Sequence, residues 1–436
     1  MVVTKRRSAQ TQPPQRGIAV ASGLIVAVAL VAGCGATPAT PLASPGRPST
    51  IAAPPAGSPV LGLDWGKAAS VERPEDAFAV RTPATDASLD PSIINSGHPL
   101  HFPGEAIMAD VARLTSGVLV SVGYVYPRWH PVAWTSDDAT TWNLRDIGST
   151  EFTFPVAVAA DAHGGAVAVG RSGPAPLAWT SPDGRSWQAH SVATLGRGAL
   201  AERMTTVLAT PEGFLAGGSV GPELAERHAR FWSSPDGTTW QPVGDDETAF
   251  ANAEVRSIAP LGNGYVAIGV VGSAQQVTGS VAWTSIDGRT WRRIAAPDLG
   301  GGRAVALAPA PFGGLVAVGS DLDEHEAFAW TTPDGHAWTL APSEPSRQYH
   351  GKIRMTDVTV VGDELIGVGN YIGLQRSTAI SWVSRDGTTW QEARSAPVQE
   401  QGEIYAVAAR DSGIVAVGSF GQPDDYIPTV WLSPGR

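Results

Sequence analysis

A pair of tryptophans recurs through the chain with a fixed spacing of eight residues. Five of the six pairs flank a turn of the form S/T-x-D-G. The pairs are Trp134/Trp142, Trp179/Trp187, Trp232/Trp240, Trp283/Trp291, Trp330/Trp338 and Trp382/Trp390. A seventh copy begins at Trp431. The mean interval of about 50 residues is typical of solenoids and propellers.

Each repeat has the same internal order. A run of alternating or β-branched residues, such as VRSIAPL, precedes a second run that ends in glycine, such as GYVAIG. A variable loop then leads to the tryptophan-bearing run, the Asp-Gly turn and a short last run. Four short strands with Asp-Gly turns predict a four-stranded antiparallel blade. Seven such units predict an all-β fold, a seven-bladed β-propeller.

The seventh repeat ends before its fourth strand. The segment LGLDWGKAASVE, around Trp65, precedes the first repeat and contains a tryptophan outside the pairs. We expect this N-terminal segment to supply the missing outer strand of the seventh blade, which would leave no long sheet edge exposed. The alternative is a ring of six blades with a separate N-terminal piece.

The N-terminus has the pattern of an export signal. Basic residues precede an uncharged apolar run over residues 17–33, which ends in the sequence VAGC with the only cysteine, Cys34. This end resembles the bacterial lipobox, which implies cleavage before Cys34 and acylation of its thiol. Residues 1–33 are then a lipoprotein signal peptide, 34–60 a tether rich in Pro, Ala, Ser and Thr, and 61–436 the propeller. The alternative is an uncleaved signal anchor with an incidental cysteine.

Charge and cysteine content exclude several classes of function. The formal net charge is −11, so the basic surface that nucleic acid binding requires is missing. An acidic domain is also repelled by an anionic membrane surface, so its attachment needs a covalent anchor. One cysteine excludes an intramolecular disulfide and a cysteine-based zinc site. We expect a monomer without cofactor, held on the extracytoplasmic side of the cell membrane by its lipid.

The repeated turn resembles the Asp-box, or BNR repeat, of sialidase-like and related propellers. The usual Asp-box, S-x-D-x-G-x-x-W, is one residue longer, so the resemblance is to the class. The carboxylate can accept hydrogen bonds from the amides of its own turn, and glycine supplies a positive φ. Identical residues at symmetric turns cannot converge on one site. We therefore interpret these aspartates as structural: Asp183, Asp236, Asp287, Asp334 and Asp386.

Alignment of the first strands places a second set of residues near the entrance of the central channel. The set comprises Ile107, Phe154, Arg203, Glu254, Arg303, Arg354 and Glu403. Arginine suits the recognition of carboxylate or phosphate, and sialidases bind the carboxylate of their substrate with three arginines. The alternative is a ring of ion pairs between neighbouring blades, which would stabilise the closed ring.

The loops between second and third strands vary most, and we expect them on the face opposite the Asp-Gly turns. Their aromatic residues are candidate ligand contacts: Tyr126, Trp129, Tyr371 and Tyr426. The alternative is scattered loop residues. Two metal hypotheses are weaker. The acidic stretch 321–326 could bind Ca²⁺ or be a solvated loop, and His98 and His101 could pair on a metal or lie in the link to the first blade.

Three functions from different classes fit this sequence. The first is a non-enzymatic binding or scaffold module with a protein or glycan partner. The second is a sialidase-like glycoside hydrolase, which would need an acid/base carboxylate and a tyrosine nucleophile paired with a glutamate. The stretch MADVARL stands where sialidases carry [FY]-R-I-P, which argues against it. The third is an assembly factor for a membrane complex. Fold alone does not decide among them.

Overall fold

The computed structural model describes thirteen segments of the chain, and Cys34, Trp65, His98 and His101 lie outside them. The segments are residues 66–73, 105–126, 128–148, 150–194, 201–222, 226–244, 247–273, 276–341, 351–373, 377–393, 402–410, 413–421 and 426–433. They contain two single-turn helices, α1 (Glu247–Phe250) and α2 (Pro297–Gly300). No helix in these segments has the length and apolar character needed to cross a membrane.

The strands form seven sheets, one for each blade, and within each blade the strands that are consecutive in sequence pair antiparallel. The first strands of blades 1 to 7 are β3 (Ala106–Arg113), β7 (Thr153–Ala160), β11 (Glu202–Thr210), β15 (Ala253–Leu261), β19 (Gly302–Pro309), β23 (Lys352–Val361) and β27 (Glu403–Arg410). The second strands are β4 (Leu119–Val125), β8 (Ala166–Ser172), β12 (Gly213–Val220), β16 (Gly264–Gly272), β20 (Leu315–Asp321), β24 (Glu364–Ile372) and β28 (Gly413–Phe420).

The outer half of each blade is shorter. The third strands are β5 (His130–Ser136), β9 (Ala175–Ser181), β13 (His228–Ser234), β17 (Val277–Ser285), β21 (Ala327–Thr332), β25 (Ser377–Ser384) and β29 (Ile427–Ser433). The fourth strands of blades 1 to 6 are β6 (Thr141–Asp146), β10 (Gln188–Ser191), β14 (Gln241–Val243), β18 (Arg292–Ile294), β22 (Thr339–Leu340) and β26 (Gln391–Glu392).

The first strands contact one another around the whole ring, including β27 with β3, and so surround the central channel. The predicted seven-bladed β-propeller is therefore confirmed, and a ring of six blades is excluded. One rim of the ring, the loop face, holds the starts of the first strands and the loops between second and third strands. The other rim, the turn face, holds the Asp-Gly turns.

The N-terminal strand closes the ring, as predicted. Strand β1 (Gly66–Lys67) pairs antiparallel with β29 and is the outer strand of blade 7. The chain then continues to blade 1, where β2 (Ser70–Val71) pairs parallel with β6 as a fifth strand. The backbone carbonyl of Glu72 accepts the Trp134 indole N–H at 3.0 Å, and its carboxylate accepts the Leu144 N–H at 2.7 Å. This second attachment was not predicted.

The hydrophobic core lies between the blades. Each cluster of buried side chains combines residues from two neighbouring blades, and the described residues form seven such clusters around the ring. Trp179 of blade 2, for example, packs with Val120 and Val122 of blade 1. The first tryptophan of each repeat lies on the side of the third strand that packs against the preceding blade, and it is therefore buried.

The Asp-Gly turns are held by their own side chains. Asp236 Oδ1 accepts the N–H groups of Thr238 and Thr239 at 2.8 and 2.9 Å, and the Trp240 indole donates to the Gly237 carbonyl at 2.9 Å. The same contacts recur at Asp138, Asp183, Asp287, Asp334 and Asp386. These hydrogen bonds favour the ionised carboxylate, and the pKa of Asp236 is lowered to about 2 although burial opposes this.

The turn glycines also meet the preceding blade. Gly237 has φ 75°, and a Cβ there would lie 2.5 Å from Val167 Cγ2 of blade 2. Blade 1 has Ala139 at this position, with φ 64°, and its methyl group is buried among side chains of blades 1 and 7. Glycine thus suits this turn because it adopts a positive φ without strain and leaves room for the preceding blade. Blade 7 leaves enough room for the methyl group of Ala139.

We predict that Gly237→Ala destabilises the propeller by about 2–4 kcal/mol, because it adds left-handed strain and overpacks the interface with blade 2. The matched change Ala139→Gly relieves strain but removes a buried methyl group, and should stay within about 1 kcal/mol of the parent. Urea denaturation of both variants measures the difference. Equal effects would contradict the packing argument.

Candidate functional site

Seven equivalent residues surround the loop-face entrance of the channel. They are Ile107, Phe154, Arg203, Glu254, Arg303, Arg354 and Glu403, and each pairs with a residue near the end of its second strand. We call these seven the mouth residues. The alignment of repeats predicted this set, and the pairing registers place all of them at the same height of the channel.

A β-bulge positions every mouth residue. Each first strand has a register shift two residues after the mouth position, which leaves one unpaired residue there. The bulge brings the mouth residue's carbonyl oxygen against a second-strand glycine, where a Cβ would overlap it. The glycines are Gly123, Gly170, Gly218, Gly269, Gly319, Gly369 and Gly418. Glycine therefore ends the second run of each repeat because any side chain at this position would overlap that carbonyl oxygen.

A first basic centre lies between blades 3 and 4. The buried Glu254 carboxylate accepts the Ser219 hydroxyl at 3.0 Å and Arg227 Nη1 at 2.7 Å, and its other oxygen meets Arg256 Nη2 at 2.9 Å. Burial opposes ionisation of Glu254, but Arg256, Arg227 and Arg203 outweigh it and lower the pKa. Glu254 is therefore a charged hub for three arginines.

A second basic centre lies between blades 5 and 6. Glu324 Oε1 accepts Arg303 Nη1 at 2.9 Å and Arg354 Nη1 at 3.3 Å, and Oε2 accepts Lys352 Nζ at 2.8 Å. Burial opposes ionisation of Glu324, yet Lys352 and the two arginines lower its pKa. The arginines of this centre thus pair with a loop glutamate, and their partners are neither Glu254 nor Glu403.

Glu403 has neutral partners. Its carboxylate accepts the Tyr405 hydroxyl at 2.9 Å and the Ser377 hydroxyl at 2.8 Å. Burial and the adjacent Glu403 raise the pKa of Tyr405, so its phenol stays protonated at neutral pH. Tyr426, at the start of the third strand of blade 7, interacts electrostatically with both Tyr405 and Tyr126.

Aromatic rings cover the mouth at blades 1 and 2. Tyr126 and Trp129 have ring centroids 4.2 Å apart, Tyr124 lies 5.3 Å from Phe154, and Trp129 lies 5.0 Å from Phe154. We call these four residues the aromatic group, and each of them is partly exposed. The Arg171 guanidinium stacks 4.2 Å from the Phe154 ring centroid, where the aromatic group approaches the first basic centre.

Backbone strain is concentrated on the loop face. Trp129 and Phe152 have φ 53° and 57°, and Glu324 has φ 61°. Trp129 and Phe152 lie side by side, since Phe152 and Thr153 donate backbone hydrogen bonds to the carbonyls of Arg128 and Trp129. Left-handed conformations of bulky residues are rare and tend to occur at functional sites. Trp129 belongs to the aromatic group, Phe152 lies beside it, and Glu324 holds the second basic centre.

Two aspartates line the channel below the mouth. Asp110 accepts the N–H groups of Val111 and of Val158 in the next blade, both at 2.8 Å, and Asp357 makes the same contacts to Val358 and Val407. Each residue keeps partial exposure to the channel but is densely surrounded by protein. Burial raises the pKa of each carboxyl to about 7, and for Asp110 the Asp357 charge adds to the effect.

Of the candidate ligand contacts, Tyr126, Trp129 and Tyr426 lie together at blades 7 and 1. Tyr371 is set apart, because it packs against the core between blades 5 and 6. In the acidic stretch, Asp321, Asp323 and His325 have ligand atoms within 4.8 Å of one another. Asp321 Oδ1 already accepts the Glu326 N–H at 2.9 Å, and Glu324 is committed to the basic centre.

Sequence reasoning missed several residues of the mouth. Tyr405 and Arg256 occupy the bulge position, two residues after the mouth position, which the repeat alignment could have revealed. Glu324, Arg227 and Lys352 come from loops or strand ends outside the aligned runs. No repeat signal marks them.

The fold and the mouth define a seven-bladed β-propeller with a polarised channel entrance. No protein-family model and no curated protein matches the chain. A protein of unknown function from Dyadobacter fermentans is 13% identical, with a TM-score of 0.48, over 78% of this chain and 96% of that one. An α-L-arabinofuranosidase from Fusarium graminearum is also 13% identical, with a TM-score of 0.45, over 77% and 95%.

A Trypanosoma rangeli sialidase is 11% identical, with a TM-score of 0.48, over 84% of this chain and 58% of that one. This chain therefore corresponds to little more than half of that sialidase. Likeness at such low identity concerns the fold and does not extend to activity.

We predict a pH dependence from the channel aspartates. Their folded-state pKa of about 7 lies above the ordinary 3.8, so the folded protein binds protons that the unfolded chain releases between these values. Their contribution to stability is complete at low pH and decreases as the pH rises towards 7. Asp110→Asn should therefore lose less stability than the parent between about pH 5 and about pH 8.

Urea denaturation at the two pH values measures this effect. Asp138→Asn is the control, since the hydrogen bonds of the turn lower the pKa of Asp138 to about 2 and its contribution is lost only as the pH falls through that value. This control should keep the pH slope of the parent. An unchanged slope in Asp110→Asn would contradict the prediction.

Proposed function

We propose that the protein is a membrane-anchored, extracytoplasmic binding or scaffold propeller without catalytic activity, which contacts a protein or glycan partner at the channel mouth. The aromatic group carries this proposal. Four partly exposed rings pack at one side of the mouth, next to strained backbone, and exposed aromatics on a rigid scaffold are typical of binding surfaces.

The anchoring part of the proposal rests on Cys34 and its apolar leader. Gly66 pairs with Leu432 near the end of β29, so the chain enters the ring on the turn face. The described part of the chain therefore begins on the face opposite the proposed binding surface.

We expect Cys34→Ala to release the protein from membranes, because acyl chains on Cys34 would hold the mature protein there. Fractionation of cells that express the parent and the variant measures this. Retention of an uncleaved variant in the membrane fraction would favour the signal-anchor alternative.

Proximity cross-linking of the full-length protein in membranes tests the binding surface. We expect discrete cross-linked partners for the parent and their loss in Tyr126→Ala/Trp129→Ala, because the contact area is removed. Ile286→Ala is the matched control, since Ile286 is 86% exposed but lies on the turn face. Partners that persist in the aromatic variant, or that are lost equally in the control, would contradict the proposal. Subunits of one membrane complex among the partners would support the assembly-factor role.

A sialidase-like glycoside hydrolase is the second candidate, and the Tyr405–Glu403 hydrogen bond of 2.9 Å favours it. Sialidases use a tyrosine nucleophile paired with a glutamate. Assay of the same purified protein with an aryl sialoside separates the two candidates. Turnover that disappears in Tyr405→Phe would assign the hydrolase, whereas an inactive parent would support the binding module.

A further inference from the structure

The two basic centres each hold more positive than negative charge. In the first, Arg203, Arg227 and Arg256 surround one carboxylate, that of Glu254. In the second, three cations share the Glu324 carboxylate. In both centres the hub glutamate is buried, whereas most of the cations keep partial exposure. Each hub therefore holds its cations in place without neutralising them.

Arg203 shows the excess charge of the first centre. Within the described segments its only hydrogen bond is to the Gly221 carbonyl at 3.2 Å, and its buried Nε has no partner there. Burial lowers the pKa of Arg203, and the neighbouring Arg227, Arg171 and Arg256 add to this effect, while Glu254 opposes it. The guanidiniums repel one another, and an anion bound among them would relieve that repulsion.

The second centre faces solvent. The side chains of Lys352, Arg354 and Arg303 are 57%, 33% and 30% exposed, although all three contact Glu324. Donors that are fixed on one side and free on the other can bind an incoming oxyanion without a large entropic cost.

The centres belong to adjacent pairs of blades. Blades 4 and 5 join them, and their first strands are linked by the hydrogen bond from the Leu307 N–H to Ser257 Oγ at 3.1 Å. Both centres therefore open on the same entrance, with only the interface between blades 4 and 5 between them. The surroundings limit the size of a ligand, because exposed Asp323 and Glu326 flank the second centre and the whole chain carries a net charge of −11. A long polyanion would be repelled, whereas a compact one would not.

We propose that the channel mouth binds a compact ligand with two oxyanion groups, one held at each basic centre. This inference rests on the proposed role of the mouth as the binding surface, and it adds a small-molecule site to the surface that contacts the partner. The shared chemistry is a pair of phosphate or carboxylate groups on one small molecule.

Calorimetric titration of the full-length protein in detergent with inorganic pyrophosphate and orthophosphate tests the two-centre geometry. We expect pyrophosphate to bind at least about tenfold more tightly, because it carries two phosphate groups and the proposal assigns one to each centre. Citrate, titrated in parallel, separates the sources: binding comparable to that of pyrophosphate assigns dicarboxylates to the site, and weaker binding assigns diphosphates.

Arg256→Gln and Arg303→Gln each remove one cation from one centre. Each should lower pyrophosphate affinity about tenfold, towards that of orthophosphate, and the corresponding lysine variants should retain most of the affinity. Arg385→Gln is the control, since Arg385 pairs with Glu364 on the turn face. Equal affinity for the two anions, no binding of pyrophosphate, or the same loss in the control would overturn the proposal. Loss of cross-linked partners only in the aromatic variant would then still support the binding module.

Discussion

A four-stranded blade has two apolar faces and cannot bury either of them alone. In this protein every cluster of buried side chains is shared by two neighbouring blades, so each blade completes the core of the next. The ring must therefore close, because an open end would expose a whole face of valines, alanines and tryptophans to water. Closure by β1, and the continuation of the chain to blade 1 through β2, satisfy this requirement at the one interface where the chain ends meet.

Closure also creates the candidate site. Seven bulged first strands bring seven equivalent residues to one entrance, although their positions in the sequence are far apart. The scaffold around them is nearly uniform, since each bulge and its glycine repeat in every blade. Chemical variety is greatest at the mouth and bulge positions, at the channel position that follows them and in the loops beside them. The repeated scaffold residues therefore provide stability, whereas the variable residues at the mouth are available for recognition.

The mouth is polarised in a way that follows from its side chains. Blades 7, 1 and 2 contribute aromatic rings and the hydrogen bond from Tyr405 to Glu403, whereas blades 3 to 6 contribute two cationic centres on buried glutamates. In an acidic protein such local positive charge is retained only because the hub carboxylates are fixed and desolvated. Arg171, stacked on Phe154, lies where the two kinds of surface meet.

The sequence by itself determined the blades, their number, the closing N-terminal segment and the height of the mouth residues. These depend on short-range patterns: alternation, turn chemistry and a constant period. Only the tertiary structure decided which charges meet. Arg303 and Arg354 pair with Glu324, which lies in the loop between the second and third strands of blade 5, outside the aligned runs. The tertiary structure also decided that Tyr405 and Arg256, at the bulge position, contact the neighbouring Glu403 and Glu254. Such pairings depend on the angle at which blades meet and on left-handed loop residues, which no local pattern in a single sequence specifies.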